Sequence, residues 1–223
     1  THLATSGFHV IALSRTNTHY QCANDITIEN LDVTDQDAFK VILDRYIDHS
    51  SYFPSLVNCA CIRPMQSVSS SINSWQHSVT QNAMLLYVPT ILFTKHVLSL
   101  SLSAAVTTIS SIYGIRGPKV NIYRDSPFEL EPDYAYNKAA SLGLMRFFAS
   151  YYALDNIRFN SIVLGGVANN QDKSFVGHYS DRCPMGRLCT PSEVGPSVEF
   201  LLDPSCSYIT GAELSVDGGW SST

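Results

Sequence analysis

The sequence YAYNK at 134–138 places Tyr134 and Lys138 four residues apart, at the start of a stretch whose apolar residues recur at helical spacing. On a helix, this spacing puts both side chains on one face. An ammonium group beside a tyrosine hydroxyl favours the phenolate, so the pair suits proton donation and acceptance in a reaction. Tyr-x-x-x-Lys is also a common surface pairing, and the motif alone leaves both interpretations open.

The composition limits the classes of protein and partner. A chain of 223 residues with 45% hydrophobic content predicts a single globular domain, residues 1–223, with a large core. The net charge of −5 and the absence of basic clusters argue against nucleic acid and against an anionic membrane as partners. No apolar run has the length of a membrane-spanning helix, and the N-terminus lacks the pattern of a signal peptide.

The six cysteines have no regular spacing, which indicates reduced thiols and a cytoplasmic protein rather than a disulfide framework. Cys59 and Cys61 flank Ala60 and have the arrangement of half a metal site. No His/Cys pair stands at ligand spacing elsewhere, so the sequence favours buried small residues at 59–61.

Predicted strands alternate with predicted helices along the chain. The strands are expected at 8–13, 25–31, 55–58, 104–109, 157–164 and 213–216. The helices are expected at 34–49, 72–100, 134–154 and 191–202. Residues 1–7 have the pattern of a helix end and 112–133 that of an irregular loop. Residues 169–185 show no regular period, which predicts a mobile surface segment or lid. The alternation predicts an α/β protein with a parallel sheet covered by helices on both faces.

Chemically varied side chains follow the predicted strands. Ligands of such sheets bind at the carboxyl ends of the strands. The residues found there are Ser14, Arg15, Asp32, Asn58, Ser111 and Gly165. A basic group, a carboxylate, an amide, a hydroxyl and a glycine turn are together suited to hold a polar, phosphorylated ligand.

Taken together, these motifs resemble the classical short-chain dehydrogenase/reductase family over essentially the whole chain. The motifs are VIALSR at 10–15, LDVTD at 31–35, LVNCA at 56–60, TISSIYG at 108–114, YAYNK at 134–138, PMGRLCTPSEVG at 184–195 and ITGAELSVDGGW at 209–220. The resemblance implies a Rossmann-type, doubly wound parallel sheet in three α/β/α layers. It also implies NAD(P)H-dependent interconversion of a carbonyl and an alcohol on a small molecule, and homodimers or homotetramers formed through the helices at 72–100 and 134–154.

The resemblance assigns catalytic roles to four residues. Tyr134 resembles the tyrosine that gives its proton to the carbonyl oxygen, and Lys138 the lysine that favours tyrosine ionisation and binds the nicotinamide ribose. Ser111, rather than Ser110, resembles the serine that hydrogen-bonds the carbonyl oxygen. Asn82 resembles the asparagine that holds a water behind the lysine, with a helix asparagine satisfied by a backbone carbonyl as the alternative.

The resemblance also assigns a cofactor site. Beside Tyr134 and Lys138, its residues are Asp32, Val33, Asn58, Ala60, Gly165 and Val167. Enzymes that prefer NAD carry a carboxylate at the end of the early strand, whereas this chain has Ser14 and Arg15. Since a guanidinium suits a 2′-phosphate, NADP(H) is favoured. If Arg15 is only a solvated charge, NAD remains an alternative.

The chain departs from the family pattern at several points. The family's first strand and its glycine-rich TGxxxGxG turn are absent from the sequence, which therefore resembles a domain incomplete at its N-terminus. The usual NNAG is NCAC at 58–61, the usual PG is Leu164-Gly165, and Asn169 replaces a threonine. These changes support an alternative hypothesis, a non-catalytic remnant or oligomer-contact protein unable to bind a dinucleotide.

Tyr134 follows Ser111 by 23 residues, a longer gap than in most family members. This gap and the segment 169–187 are similar to a subgroup linked to sugar-nucleotide and nonulosonic acid pathways. We hypothesise that Tyr123 and Arg124 face a hydroxyl-rich substrate and that residues 169–179 close over it as a lid.

Overall fold

The computed structural model describes residues 1–16, 25–65, 67–126 and 129–223. Its strands are β1 Val10–Ser14, β2 Ile26–Asn30, β3 Ser55–Asn58, β4 Ala104–Ser111, β5 Ile157–Leu164 and β6 Glu213–Val216. Its helices are α1 His2–Thr5, α2 Gln36–Tyr46, α3 Ile72–Ser99, α4 Pro132–Tyr151, α5 Lys173–Arg182 and α6 Pro191–Leu202. The predicted α/β class is confirmed. The loop predicted at 112–133 contains two short 3-10 turns, Ile112–Gly114 and Val120–Tyr123, and its residues 127 and 128 lie outside the described residues.

All strand pairs are parallel, and the strands form two sheets. One sheet contains β1 and β2, and the other has the order β3-β4-β5-β6. In the described part of the chain, β1 pairs only with β2, and β3 pairs only with β4. A groove of about 550 Å³ lies between the sheets, with Ile11 and Leu13 of β1 and Leu56 of β3 on its walls. The expected doubly wound sheet is thus present as two parallel pieces.

The core covers both faces of β4 and β5. Because successive strand residues point to opposite faces, Val106 and Phe159 join one cluster while Ala105 and Ile162 join another. The first cluster includes Phe39, Leu43, Phe93, Val97, Met145 and Phe148 from α2, α3 and α4. The second includes Val198, Leu201 and Leu202 from α6. These two faces give the three-layer arrangement that the sequence predicts.

Local capping explains where several helices begin. The Asp35 side chain accepts a hydrogen bond from the Ala38 amide at the start of α2. Thr190 and Glu193 form a reciprocal capping box at the start of α6, with Pro191 in the first turn. Pro132 begins α4 two residues before Tyr134, so Tyr134 lies within the first turn.

The segment 169–185, which shows no helical periodicity in the sequence, contains α5 over most of its length. Asp172 caps α5 by accepting hydrogen bonds from the Ser174 and Phe175 amides. Tyr179, one turn after Phe175, is 2% exposed and stacks with the Trp220 ring at 6.5 Å. The helix is held by these few aromatic anchors, which are too few to produce a helical pattern in the sequence.

The prediction of buried small residues at 59–61 is wrong. Cys59, Ala60 and Cys61 are all exposed, because the chain leaves β3 at Asn58 and runs over the carboxyl edge of the sheet. Among the described residues, no group of three His, Cys, Asp or Glu side chains is placed to hold a metal ion. No helix in the described ranges is long and apolar enough to cross a membrane.

Candidate active site

The carboxyl ends of β4 and β5 and the first turns of α4 enclose a cavity of about 320 Å³. The register pairs Ser111 with Leu164, so the two strands end at the same edge of the sheet. Ser111, Tyr134 and Lys138 all line this cavity. The structure therefore brings together three of the four residues that the sequence predicts to be catalytic.

The two serines at the end of β4 have different contacts. Ser110 donates to the Lys138 carbonyl at 2.9 Å and so ties β4 to α4. Ser111 accepts a hydrogen bond from the Tyr113 amide at 3.2 Å, which leaves the proton of its own hydroxyl for another acceptor. Ser111 is thus the hydroxyl equipped to donate to a ligand oxygen in the cavity.

Lys138 is anchored below the ring of Tyr134. Its Nζ donates to the Ile109 carbonyl at 2.8 Å and lies 5.7 Å from the centroid of the Tyr134 ring. Gly114 packs tightly behind the lysine, since a Cβ there would lie 3.0 Å from the Lys138 backbone and from Ser110 Oγ. This contact fixes the turn after β4 against α4, and with it the spacing of the serine and the lysine.

Asn82 does not line the cavity, and its amide is occupied by backbone groups. Its Oδ1 accepts from the Ile62 amide at 3.0 Å, and its Nδ2 donates to the Ile62 carbonyl and the Ser78 carbonyl, both at 3.0 Å. These contacts match the second interpretation of this residue, an asparagine satisfied by backbone. Asn82 thereby fixes the segment that follows β3.

Sequence reasoning missed two charged residues next to Tyr134. Asp133 is 1% exposed, accepts a short hydrogen bond from Ser78 Oγ, and has one oxygen without a partner among the described residues. Ser78 Oγ also accepts from Asn137 Nδ2 at 3.1 Å. Arg63 places its guanidinium 5.0 Å from the Tyr134 ring centroid. The only sequence signal for Asp133 was its position directly before the tyrosine.

The predicted adenosine contacts lie at the edge of the smaller sheet. Arg15 directly follows β1, with its Nη1 4.0 Å from Asp32 Oδ2. Hydrogen bonds from the Thr34 amide and hydroxyl, at 2.9 and 2.7 Å, hold the pKa of Asp32 below its ordinary value. Ser14 is the last residue of β1 and accepts from the Thr16 amide at 3.3 Å. Arg15, Asp32 and Thr34 line one cavity of about 360 Å³.

Of the remaining predicted cofactor residues, some line the cavity that contains Tyr134 and others do not. Asn58 is the last residue of β3, and its amide donates to the Thr90 and Thr108 hydroxyls, away from the strand-end surface. Val33 packs against the core, Ala60 is exposed, and Gly165 and Val167 line the cavity that contains Tyr134.

Residues 169–179 are docked against the end of β5 through Tyr179. Its hydroxyl accepts from the Gly166 amide at 2.7 Å, and burial raises its pKa to about 12. A Cβ on Gly165 would lie 2.7 Å from this hydroxyl, so glycine is required for the close approach. Tyr123 lines the cavity and shares a 2.6 Å hydrogen bond with Tyr113, whereas Arg124 does not line it.

The described residues fit the two ends of a nicotinamide dinucleotide. The hydroxyls of Ser111 and Tyr134 and the ammonium of Lys138 share the cavity that suits the reacting end. The guanidinium of Arg15, whose side chain is 60% exposed, suits the phosphorylated end. No glycine-rich turn of the pyrophosphate-binding kind lies between these two places in the described ranges.

The chain matches the family described as Enoyl-(Acyl carrier protein) reductase over residues 2–221. It is 26% identical over 191 residues to the 2-dehydro-3-deoxy-D-gluconate 5-dehydrogenase of Escherichia coli (strain K12), covering 82% of this chain and 72% of the relative. It is 26% identical over 194 residues to the 3-oxoacyl-[acyl-carrier-protein] reductase of Thermotoga maritima, covering 85% of this chain and 74% of the relative.

One solved structure shows the same fold. A protein from Beutenbergia cavernae that is described as an NAD(P)-dependent gluconate 5-dehydrogenase by assignment, with NADP bound at low occupancy, superposes with a TM-score of 0.81. The two proteins are 26% identical, and the match covers 100% of this chain and 90% of that protein. The family match extends over nearly the whole chain, and the solved structure has the same fold. This chain belongs to the short-chain dehydrogenase/reductase family of NAD(P)-dependent oxidoreductases, which act on carbonyl and alcohol groups.

Proposed function

We propose that this protein reduces a carbonyl to an alcohol, or oxidises the alcohol, with NADP(H) as the hydride carrier. The observation that supports this most strongly is the shared cavity of Ser111, Tyr134 and Lys138 at the ends of β4 and β5. The non-catalytic alternative is not favoured, since a chain that only makes oligomer contacts has no need for this arrangement.

In the reductive direction, the carbonyl oxygen lies between the hydroxyls of Ser111 and Tyr134. The Ser111 hydroxyl donates a hydrogen bond to this oxygen, keeps its proton, and stabilises the negative charge that develops when the carbonyl carbon receives the hydride. Tyr134 transfers its hydroxyl proton to the same oxygen, which completes the alcohol. Bound NADPH supplies the hydride. Lys138, fixed by the Ile109 carbonyl, keeps a positive charge beside the tyrosine as its proton leaves.

For the cofactor, we propose that Arg15 binds the 2′-phosphate of NADP(H). Asp32 competes weakly for Arg15, because its other oxygen is held by Thr34 and the ion pair is 4.0 Å long. The Beutenbergia cavernae protein has NADP bound, which supports this preference. NAD(H) remains the second candidate and is tested below by substitution of Arg15.

We propose a sugar-like substrate. The relatives from Escherichia coli and Beutenbergia cavernae are named for gluconate derivatives, which are polyhydroxy compounds. Tyr123 and Gln171 line the cavity and add polar groups to its walls. The hypothesis that Arg124 faces this substrate has no support, since Arg124 is not part of the cavity wall.

Replacing Tyr134 with phenylalanine tests the proposed chemistry. Loss of a positioned proton donor should lower kcat for NADPH-dependent carbonyl reduction by on the order of 10²–10⁴-fold. The matched control is Tyr136→Phe, because Tyr136 lies two residues further along the same helix, is 49% exposed and packs on Trp75. Undiminished reduction by the Tyr134→Phe protein would refute the mechanism.

We also propose a cytoplasmic homodimer or homotetramer that contacts itself through α3 and α4. Exposed apolar side chains are present on both helices: Met84, Tyr87, Phe147 and Tyr151. The rings of Phe147 and Tyr151 stack on each other at 5.7 Å and form part of this exposed face. The five described cysteines are free thiols, which is compatible with the proposed cytoplasmic location. Sedimentation of the wild type and of Phe147→Arg would show whether an oligomer forms and whether this face makes it.

A further inference from the structure

Arg63 lies on the wall of the cavity that contains Ser111, Tyr134 and Lys138. Its Cζ is 5.0 Å from the centroid of the Tyr134 ring, a distance at which a guanidinium is attracted to the ring face. The Arg63 side chain is nevertheless 57% exposed, so a ligand in the cavity can reach it. The proposed mechanism gives this charge no role.

The guanidinium is held in place from two sides. Asn82 binds both the amide and the carbonyl of Ile62, the preceding residue, and Pro64 restricts the backbone that follows. The Arg63 Nε donates to Glu131 Oε2 at 2.7 Å, and Glu131 directly precedes α4. A side chain fixed in this way loses little conformational entropy when it binds a ligand.

Two nitrogens of Arg63 are available. Only Nε has an acceptor among the described residues, so both terminal nitrogens can donate to a ligand. The fork of a guanidinium matches the two oxygens of a carboxylate better than it matches single hydroxyls. Glu129 and Glu131 line the same cavity and oppose further negative charge, which favours a ligand with one carboxylate over a multiply charged one.

We infer that Arg63 binds a carboxylate of the substrate, which makes the substrate a polyhydroxy acid or its oxo acid. This inference rests on the proposed function and narrows it to one substrate class. Arg63 then acts in specificity and positioning: its carboxylate contact holds the reacting carbon beside Tyr134, while proton transfer stays with Tyr134 itself.

The test compares D-gluconate with D-glucitol, which differ only in a carboxylate in place of a CH₂OH group. Calorimetric titration of the protein saturated with NADPH, which cannot oxidise either alcohol, should give at least roughly tenfold tighter binding of gluconate, as one charge-assisted hydrogen-bonded contact provides. Arg63→Gln should remove most of this preference, and Arg63→Lys should retain part of it. Arg146→Gln is the matched control, since Arg146 is an exposed, ion-paired arginine remote from the cavity wall.

Two further measurements keep the outcomes distinct. Glu131→Gln keeps the arginine and should preserve the gluconate preference, which separates the role of Arg63 from damage caused by breaking the ion pair. Equal binding of the two ligands, no binding of either, or an undiminished preference in Arg63→Gln would each overturn the inference. If NADPH-dependent reduction of neutral 2,3-butanedione still depends on Tyr134 in that case, the proposed function stands and only the substrate class is wrong.

Discussion

The two central strands of the four-stranded sheet differ sharply in burial from the two-stranded sheet. Seven of the eight residues in β4 and seven of the eight in β5 are buried, whereas no residue of β1 or β2 is. The proposed catalytic Ser111 ends the buried strand β4, and Tyr134 and Lys138 lie on α4, which packs on β4 and β5. The proposed 2′-phosphate contact, Arg15, follows the less buried strand β1. The proposed catalytic groups are therefore held against the core of the protein, while the adenosine end of the site lies on strands without a buried residue.

This difference has a consequence for local stability. Segments with few buried apolar contacts open at a lower free energy than core strands. The groove of about 550 Å³ beside β1 adds to the exposure of that sheet. We therefore expect the cavity around Tyr134 to persist under conditions that already loosen Arg15 and Asp32.

The largest expected effect comes from truncating one side chain in each sheet. Phe159→Ala should lower the free energy of unfolding by about 3–5 kcal/mol, because this ring is fully buried against Phe148 and Tyr152. Leu13→Ala, in the partly buried β1, should cost only about 1–2 kcal/mol. Urea unfolding measures both values, and equal costs would remove the distinction between the sheets.

A second prediction concerns the two hydrogen bonds between the Asn82 side chain and the Ile62 backbone. Asn82→Ala should lower the free energy of unfolding by about 1–3 kcal/mol, because it leaves the backbone amide and carbonyl of Ile62 without their partner. Hydrogen exchange should speed up at residues 59–65 and stay unchanged in β5. If stability is unaffected while kcat falls, Asn82 has the water-holding role that the family resemblance implies.

Substitution of Arg15 tests only the proposed 2′-phosphate contact beside the two-stranded sheet. Arg15→Gln should raise the KM for NADPH by roughly tenfold, the equivalent of one charge-assisted contact, and leave the KM for NADH unchanged. Lys40→Gln, on the outer face of α2 with 53% exposure, is the control. Parallel changes with both cofactors would show that Arg15 does not recognise a 2′-phosphate.

The smallest expected effect is a pH dependence at α6, which packs on the four-stranded sheet. Hydrogen bonds from Arg187, and then from Thr190, hold the pKa of Glu193 at about 2, below its ordinary value near 4.3. A carboxyl with a lowered pKa stabilises the fold above its unfolded-state pKa, and this contribution is lost as the pH falls from about 4.3 to 2. Over that range, Glu193→Gln should show a shallower fall in melting temperature than the wild type.

The sequence predicted elements best where the local signals were strong. The strands at 157–164 and 213–216 and the helix at 191–202 were predicted at their observed bounds. Gly165-Gly166 and Asp217-Gly218-Gly219 mark the ends of the two strands, and Pro191 marks the first turn of the helix. The segment now seen as α5 was missed, since its stability comes from Phe175 and Tyr179 packing on distant residues. The cysteines at 59 and 61 were misplaced because a small apolar residue has no local signal for exposure at a strand end.

The sequence by itself determined the α/β class, because hydrophobic periodicity is a local property of the chain. It also determined the motif spacing that places a serine at the end of a strand and a tyrosine and a lysine at the start of a helix. Only the tertiary structure decided which way the polar side chains turn. Asn58 donates to a threonine hydroxyl, and Asn82 accepts from the backbone amide of Ile62. Arg63 lies beside the ring of Tyr134. Those contacts join residues far apart in the chain, and an orientation set by a distant partner leaves no pattern in the sequence around it.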